Sequence, residues 1–129
     1  QRLFPWGNLA PDPTRAVYDC TGDGSPAGMC AVSDILDVGQ RPLGDGKWGQ
    51  ADLAGSMWEW TLDLYHDPYT IIPCNDCSNL VDPAVTHRSI RGAAFSHQGP
   101  ALETVIRFHA EPKMSQNATG IRCAKTKAP

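Results

Sequence analysis

The residues best equipped for chemistry are five cysteines: Cys20, Cys30, Cys74, Cys77 and Cys123. Two close pairs and one single cysteine point to two local disulfides and one free thiol. Cys20 and Cys30 flank Thr-Gly-Asp-Gly-Ser-Pro-Ala-Gly-Met, a loop without an apolar anchor. A bridge there restrains the unfolded chain by roughly 2–3 kcal/mol. Cys74-Asn-Asp-Cys77 has the spacing of a redox pair or of half a zinc site. Asp76 inside it disfavours a thiolate, and no second close pair of Cys or His completes four ligands. A structural disulfide is therefore favoured; a mixed metal site using Cys20, Cys30, Cys74 and Cys77 is the alternative that the spacing leaves open. Disulfides place the chain in an oxidising setting: extracellular, periplasmic or cell-surface. In such a setting Asn117-Ala118-Thr119 has the pattern of a glycosylation acceptor. The four histidines, His66, His87, His97 and His109, show no i, i+4 or other metal-ligand spacing. They read as surface or capping residues. Neither a Ser-His-Asp order nor a phosphate loop is visible.

The elements that must position these residues are short. The chain has 129 residues, enough for one domain. Eleven Lys and Arg against 14 Asp and Glu give a net charge of −3, which argues against a nucleic-acid partner. The longest apolar runs reach four or five residues, too short for a transmembrane helix. With 12 Gly and 11 Pro, the chain is richer in turn formers than the roughly 12% average, so turns dominate over helices. Most of residues 1–50 read as turns, with one short strand or helical turn within Met29–Val38. Residues 57–65 are the clearest element: Trp58, Trp60, Leu62 and Leu64 alternate with Glu59, Thr61 and Asp63, which predicts a strand with one buried face. Residues 66–83 read as a long polar loop. Further short strands are expected at Arg88–Arg91, Thr104–Phe108 and Gly120–Ala124.

Several motifs line up in order along this frame. Phe4-Pro5-Trp6-Gly7-Asn8 resembles the YPWGN segment of the formylglycine-generating-enzyme, or sulfatase-modifying factor, family. Val38-Gly39-Gln40-Arg41-Pro42 is similar to its PVGxxP turn. Gly49-Gln50-Ala51-Asp52-Leu53-Ala54-Gly55-Ser56-Met57-Trp58-Glu59-Trp60-Thr61 matches its GLxDMAGNVWEWT signature. Ser89-Ile90-Arg91-Gly92-Ala93-Ala94-Phe95, Val105-Ile106-Arg107-Phe108 and Gly120-Ile121-Arg122-Cys123-Ala124 are similar to its VLRGGSW, SAYR and GFRCA elements.

The resemblance implies an α+β, C-type-lectin-like architecture with short strands and many loops. It also implies that residues 1–129 are the C-terminal half of one domain, because the VTxxxYxxF and RLPTEAEWE motifs have no counterpart here. The other half would come from the same precursor or from a second chain. The resemblance further implies structural calcium, held by the Asp52 side chain, the Gly55 and Met57 carbonyls and the Glu59 side chain. Calcium takes hard oxygen ligands, and two carboxylates balance its charge. Ser56 replaces the family's common Asn. A second ion site of the family falls in the loop bearing Asp19, Asp23 and Asp34, where Cys20–Cys30 would replace the ion as a clamp. The family's enzymes hold copper with two cysteines after the RGGS strand, since soft sulfur selects Cu(I). Here Phe95–Glu103 contains no cysteine, and His97 falls near the first of those positions. Cys123, in the GFRCA element, is expected to be buried.

Together these readings imply a calcium-stabilised binding or structural module that does not make formylglycine. Its peptide or glycan ligand would lie in a groove between the 95–102 loop and the loops around Trp48, with Trp48, Phe95, His97 and Arg107 as contact residues. Two alternatives carry less support. One is a metal-dependent oxidative enzyme with His97 as a ligand and the remaining donors in the missing half or a partner chain. The other is a lectin-like carbohydrate binder, which rests on fold analogy alone.

Overall fold

The computed structural model describes residues 2–69, 73, 75 and 78–123. Cys74, Asp76 and Cys77 lie outside the described residues, and so does Ala124. Four strands form one mixed sheet: β1 (Trp58–Leu64), β2 (Arg88–Arg91), β3 (Phe108–Ala110) and β4 (Thr119–Gly120). Their spatial order is β3-β2-β1-β4, with β1 and β2 antiparallel, β2 and β3 antiparallel, and β4 parallel to β1. The helical segments among the described residues are single 3-10 turns at Val32–Asp34, Pro42–Gly44 and Gly99–Leu102. That scarcity follows from the Gly and Pro content, because each breaks a helix within a turn or two.

β1 forms where the Trp-Thr alternation places it, but the buried face is interrupted. Trp58 and Leu64 are buried, whereas Leu62 is 68% exposed. From Trp60↔Ile90 to Leu64↔Arg88, β1 advances four residues while β2 covers two, so β1 bulges between these pairs. A bulge reorients the side chains within it, which turns Leu62 outward. The Arg88 guanidinium caps the bulge by donating to Leu62 O.

β2 spans the expected residues. The strand expected at Thr104–Phe108 begins only at Phe108, because the segment before it is engaged elsewhere. Thr104 N donates to Leu3 O (2.7 Å), Ile106 N closes a turn on Glu103 O (3.0 Å), and Arg91 donates to the Thr104 and Ile106 carbonyls. The last strand is likewise shorter than expected and ends at Gly120. Cys123 is a free thiol and exposed, not buried. Ile121, Arg122 and Cys123 are all exposed, since the strand ends at Gly120, and Arg122 reaches Glu59 from there.

The core gathers Phe4, Trp58, Ile90 and Leu102 around five alanines, Ala16, Ala54, Ala93, Ala94 and Ala110. Small residues let backbone segments approach closely, at Gly22 and Gly44 and again at Gly55. Its φ is +82°, and a Cβ there would lie 2.4 Å from Val17 O. Ser56 follows in the left-handed region at φ +62°. This turn ties three segments together before β1 begins. Gly55 N donates to Gly92 O (2.7 Å), Ser56 N to Val17 O (2.8 Å), and Phe95 N to Ser56 O (2.8 Å).

Gly55→Ala is therefore expected to cost about 2–4 kcal/mol, combining left-handed strain with a backbone clash. Ser56→Asn is expected to gain about 0.5–1 kcal/mol, because Asn enters the left-handed region more readily than Ser. Urea denaturation of both variants checks the pair; an alanine variant as stable as the parent would contradict the packing described.

Candidate functional site

At the turn that launches β1, Arg122 engages Glu59 and the Asp52 backbone, two of the residues assigned to calcium. Arg122 Nε donates to Glu59 Oε2 at 2.9 Å and its Nη2 to Glu59 Oε1 at 2.7 Å. The same Nη2 reaches Asp52 O at 3.1 Å. The hydrogen bond to Glu59 holds the Arg122 pKa above its usual value, with partial burial opposing it. Asp52 Oδ2 accepts the Gly39 N–H at 2.6 Å, and Gly55 O accepts the Met57 N–H at 2.8 Å. One carboxylate is thus matched by a guanidinium and the other is engaged by a backbone donor. Both oxygens of Glu59, one of the expected calcium ligands, are thereby engaged by the guanidinium. Among the described residues, no three His, Cys, Asp or Glu side chains group as a metal set.

Beside this turn lies a cleft of about 660 Å³ between the 46–50 turn and residues 102–106. The turn is closed by Gly46 N donating to Gln50 O (2.8 Å) and Gly49 N donating to Gly46 O (2.9 Å). It projects Trp48, which is 78% exposed, with Lys47 Nζ 5.2 Å from the indole centroid. Phe4, Leu53, Trp60 and Leu102 supply apolar lining. The cleft's ionic groups are Arg2, Lys47, Arg91 and Arg122 against Glu59 and Glu103. The cleft is therefore net positive within a chain whose total charge is −3.

A second depression, about 570 Å³, shares no lining residue with the first. Here Trp58 packs edge-on against His97 at 5.1 Å and stacks with Phe108 at 6.1 Å. Nδ1 of His97 and Nδ1 of His109 are buried there without hydrogen-bond partners. The four contact residues expected in one groove therefore separate. Trp48 stands at the cleft, and His97 lies in the depression. Phe95 packs on the core, and Arg107 sits between the Tyr65 and Tyr69 rings at 4.8 and 3.8 Å, beside Asp67 at 3.6 Å. Sequence reasoning placed Trp48 at a groove, but of the 95–102 loop only Leu102 lines the cleft, and the 103–106 wall and the role of Arg122 were missed. The GFRCA resemblance marked Arg122's position without indicating its partner.

The sulfatase-modifying factor enzyme 1-like domain model matches residues 1–127. The chain belongs to this family. The solved structure of PvdO from Pseudomonas aeruginosa matches it with a TM-score of 0.70 at 21% identity, over 92% of this chain and 41% of that one. The chain thus spans less than half the length of that relative. No curated protein matches it. The sheet of this sulfatase-modifying-factor domain, with its few helical turns and many loops, is the C-type-lectin-like fold expected from the motifs.

In this domain the loop assigned to the family's second ion is clamped by other means. Cys20 and Cys30 are joined by a disulfide. Asp34, fully buried, accepts the Ala31 N–H (2.8 Å) and the Asp23 N–H (3.3 Å). Asp19 contributes its backbone: its N–H donates to His97 O and its carbonyl accepts from Gly28 N. Asp23 accepts from the Ser33 hydroxyl and the Ser25 N–H, and these bonds, Ser33 first, lower its pKa from 3.8 to about 2. A depressed carboxyl stabilises the fold fully above its unfolded pKa, and that contribution disappears as pH falls through the folded value. Asp23→Asn is expected to be less stable than the parent near neutral pH, with the difference shrinking between pH 3.8 and about 2. Urea midpoints of both proteins across this range check it; a gap independent of pH would exclude the Asp23 assignment.

Proposed function

We propose that this chain is a binding module of the sulfatase-modifying-factor family, working in an extracellular, periplasmic or cell-surface setting and not making formylglycine. The observation that carries the reading is Trp48, a large apolar side chain held in solvent at the lip of an apolar, positively charged cleft. Covering an indole is worth roughly 3 kcal/mol, so such a residue is an anchor awaiting a ligand. The excess of Arg and Lys selects an acidic ligand by charge complementarity. A peptide carrying acidic and apolar side chains fits both properties. The absence of cysteine from Phe95–Glu103 supports loss of the family's copper chemistry, since that stretch has no soft ligand pair to offer.

The Cys20–Cys30 bridge supports the oxidising compartment. Val32, Val38, Val81 and Ile121 are exposed apolar residues outside the cleft, and they support coverage by the remaining half of the domain or a second chain. A second reading, a metal-dependent oxidative centre at His97, draws on its buried unpartnered Nδ1 beside Trp58. That centre would take its other donors from the remaining half or a partner chain.

Titration with an array of acidic, aromatic-containing peptides, followed by tryptophan fluorescence, tests the main reading. Trp48→Ala is expected to weaken the best binder about 10- to 100-fold with the melting temperature unchanged. Undiminished binding by that variant, or binding only to glycans, would remove the peptide assignment. Metal analysis of native material separates the second reading: stoichiometric iron or copper lost in His97→Ala would establish it instead.

A further inference from the structure

We infer that the Arg122 guanidinium is the resident cation of the turn between Asp52 and Glu59, and that its removal opens this turn to a divalent ion. The guanidinium places its Nε and Nη2 on the two oxygens of Glu59 and uses Nη2 a second time on Asp52 O. A single positive group thus joins the main chain at the start of the turn to a carboxylate on β1, the bridge that a bound ion would make. The planar fork suits this task, since it satisfies both oxygens of one carboxylate in a fixed geometry.

Two further features fit a cation seat. Asp52, at φ +54°, gives its carbonyl to Arg122 while its carboxylate accepts from Gly39 N. The pair is partly sheltered, with side-chain exposures of 38% for Arg122 and 23% for Glu59. Partial shelter makes it stronger than a fully solvated ion pair. Because the cation is covalently attached, its local concentration does not depend on ions in the medium.

The test uses the full chain and terbium as a luminescent probe for calcium, with Trp58 and Trp60 flanking Glu59 as sensitisers. The parent is expected to melt at the same temperature in millimolar calcium and in EDTA, with no tryptophan-sensitised terbium emission. Arg122→Gln is expected to melt about 3–6 °C lower, to regain part of that loss in calcium, and to acquire terbium emission. Adding Glu59→Gln to this variant is expected to abolish the emission. A parent stabilised by calcium, or one that sensitises terbium, overturns the inference; so does a folded Arg122→Gln that acquires no ion binding. Should the glutamine variant not fold, Arg122→Lys keeps the charge without the fork. Its melting is expected to be lowered yet indifferent to calcium, and stabilisation of that variant by calcium overturns the inference.

Discussion

The left-handed turn at Gly55–Ser56 is the constraint on which the rest of the structure depends. Two successive residues with positive φ reverse the chain directly against Val17 O, where no side chain fits. The reversal presents their N–H groups and the Ser56 carbonyl to residues 17, 92 and 95. These bonds join segments that otherwise share little regular structure. β1 then leaves the turn already aimed into the core, with Trp58 as its first buried side chain. In a chain whose strands run from two to seven residues, such non-repetitive backbone contacts do the work that a helix would do elsewhere.

The sequence revealed the part of the fold that is written in local periodicity. Trp58, Trp60 and Leu64 announced β1 through alternation, and Arg88–Arg91 announced β2 through its apolar centre. The bulge that exposes Leu62 was not legible, because it comes from the register against β2 and not from β1 itself. Residues 104–107 looked like a strand by composition, yet their backbone groups are claimed by Leu3 and Arg91 across the molecule. The same division holds at the site. The positions of Asp52 and Glu59 could be read from the motif, but the guanidinium between them comes from a residue 63 places further on. Cys123 was misread as buried because the strand that would have covered it ends at Gly120, leaving residues 121–123 exposed.

Charge is distributed unevenly over this family member. Acidic side chains in the first part of the molecule are consumed locally, with Asp12, Asp23 and Asp34 each serving hydrogen bonds close by in their own loops. Four basic side chains, Arg2, Lys47, Arg91 and Arg122, instead line one concavity, and two of them are used twice. Arg91 braces the 104–106 wall while lining the cleft, and Arg122 fastens the turn while lining the same cleft. Positions that hold the fold together therefore also set the electrostatic character of the proposed binding surface. A change at either arginine alters shape and potential at once.

The parallel pairing of β4 with β1 has a consequence for how the molecule comes into being. Trp58 finds its partner at Thr119, and the Thr104 hydroxyl closes on Arg2 O across 102 positions of sequence. Loops of that length are costly to close, and topologies dominated by such distant partners assemble slowly. The sheet is therefore completed only once residues as far as Gly120 are in place. Until then the two tryptophans of β1 lack their last strand neighbour, which exposes apolar surface during folding.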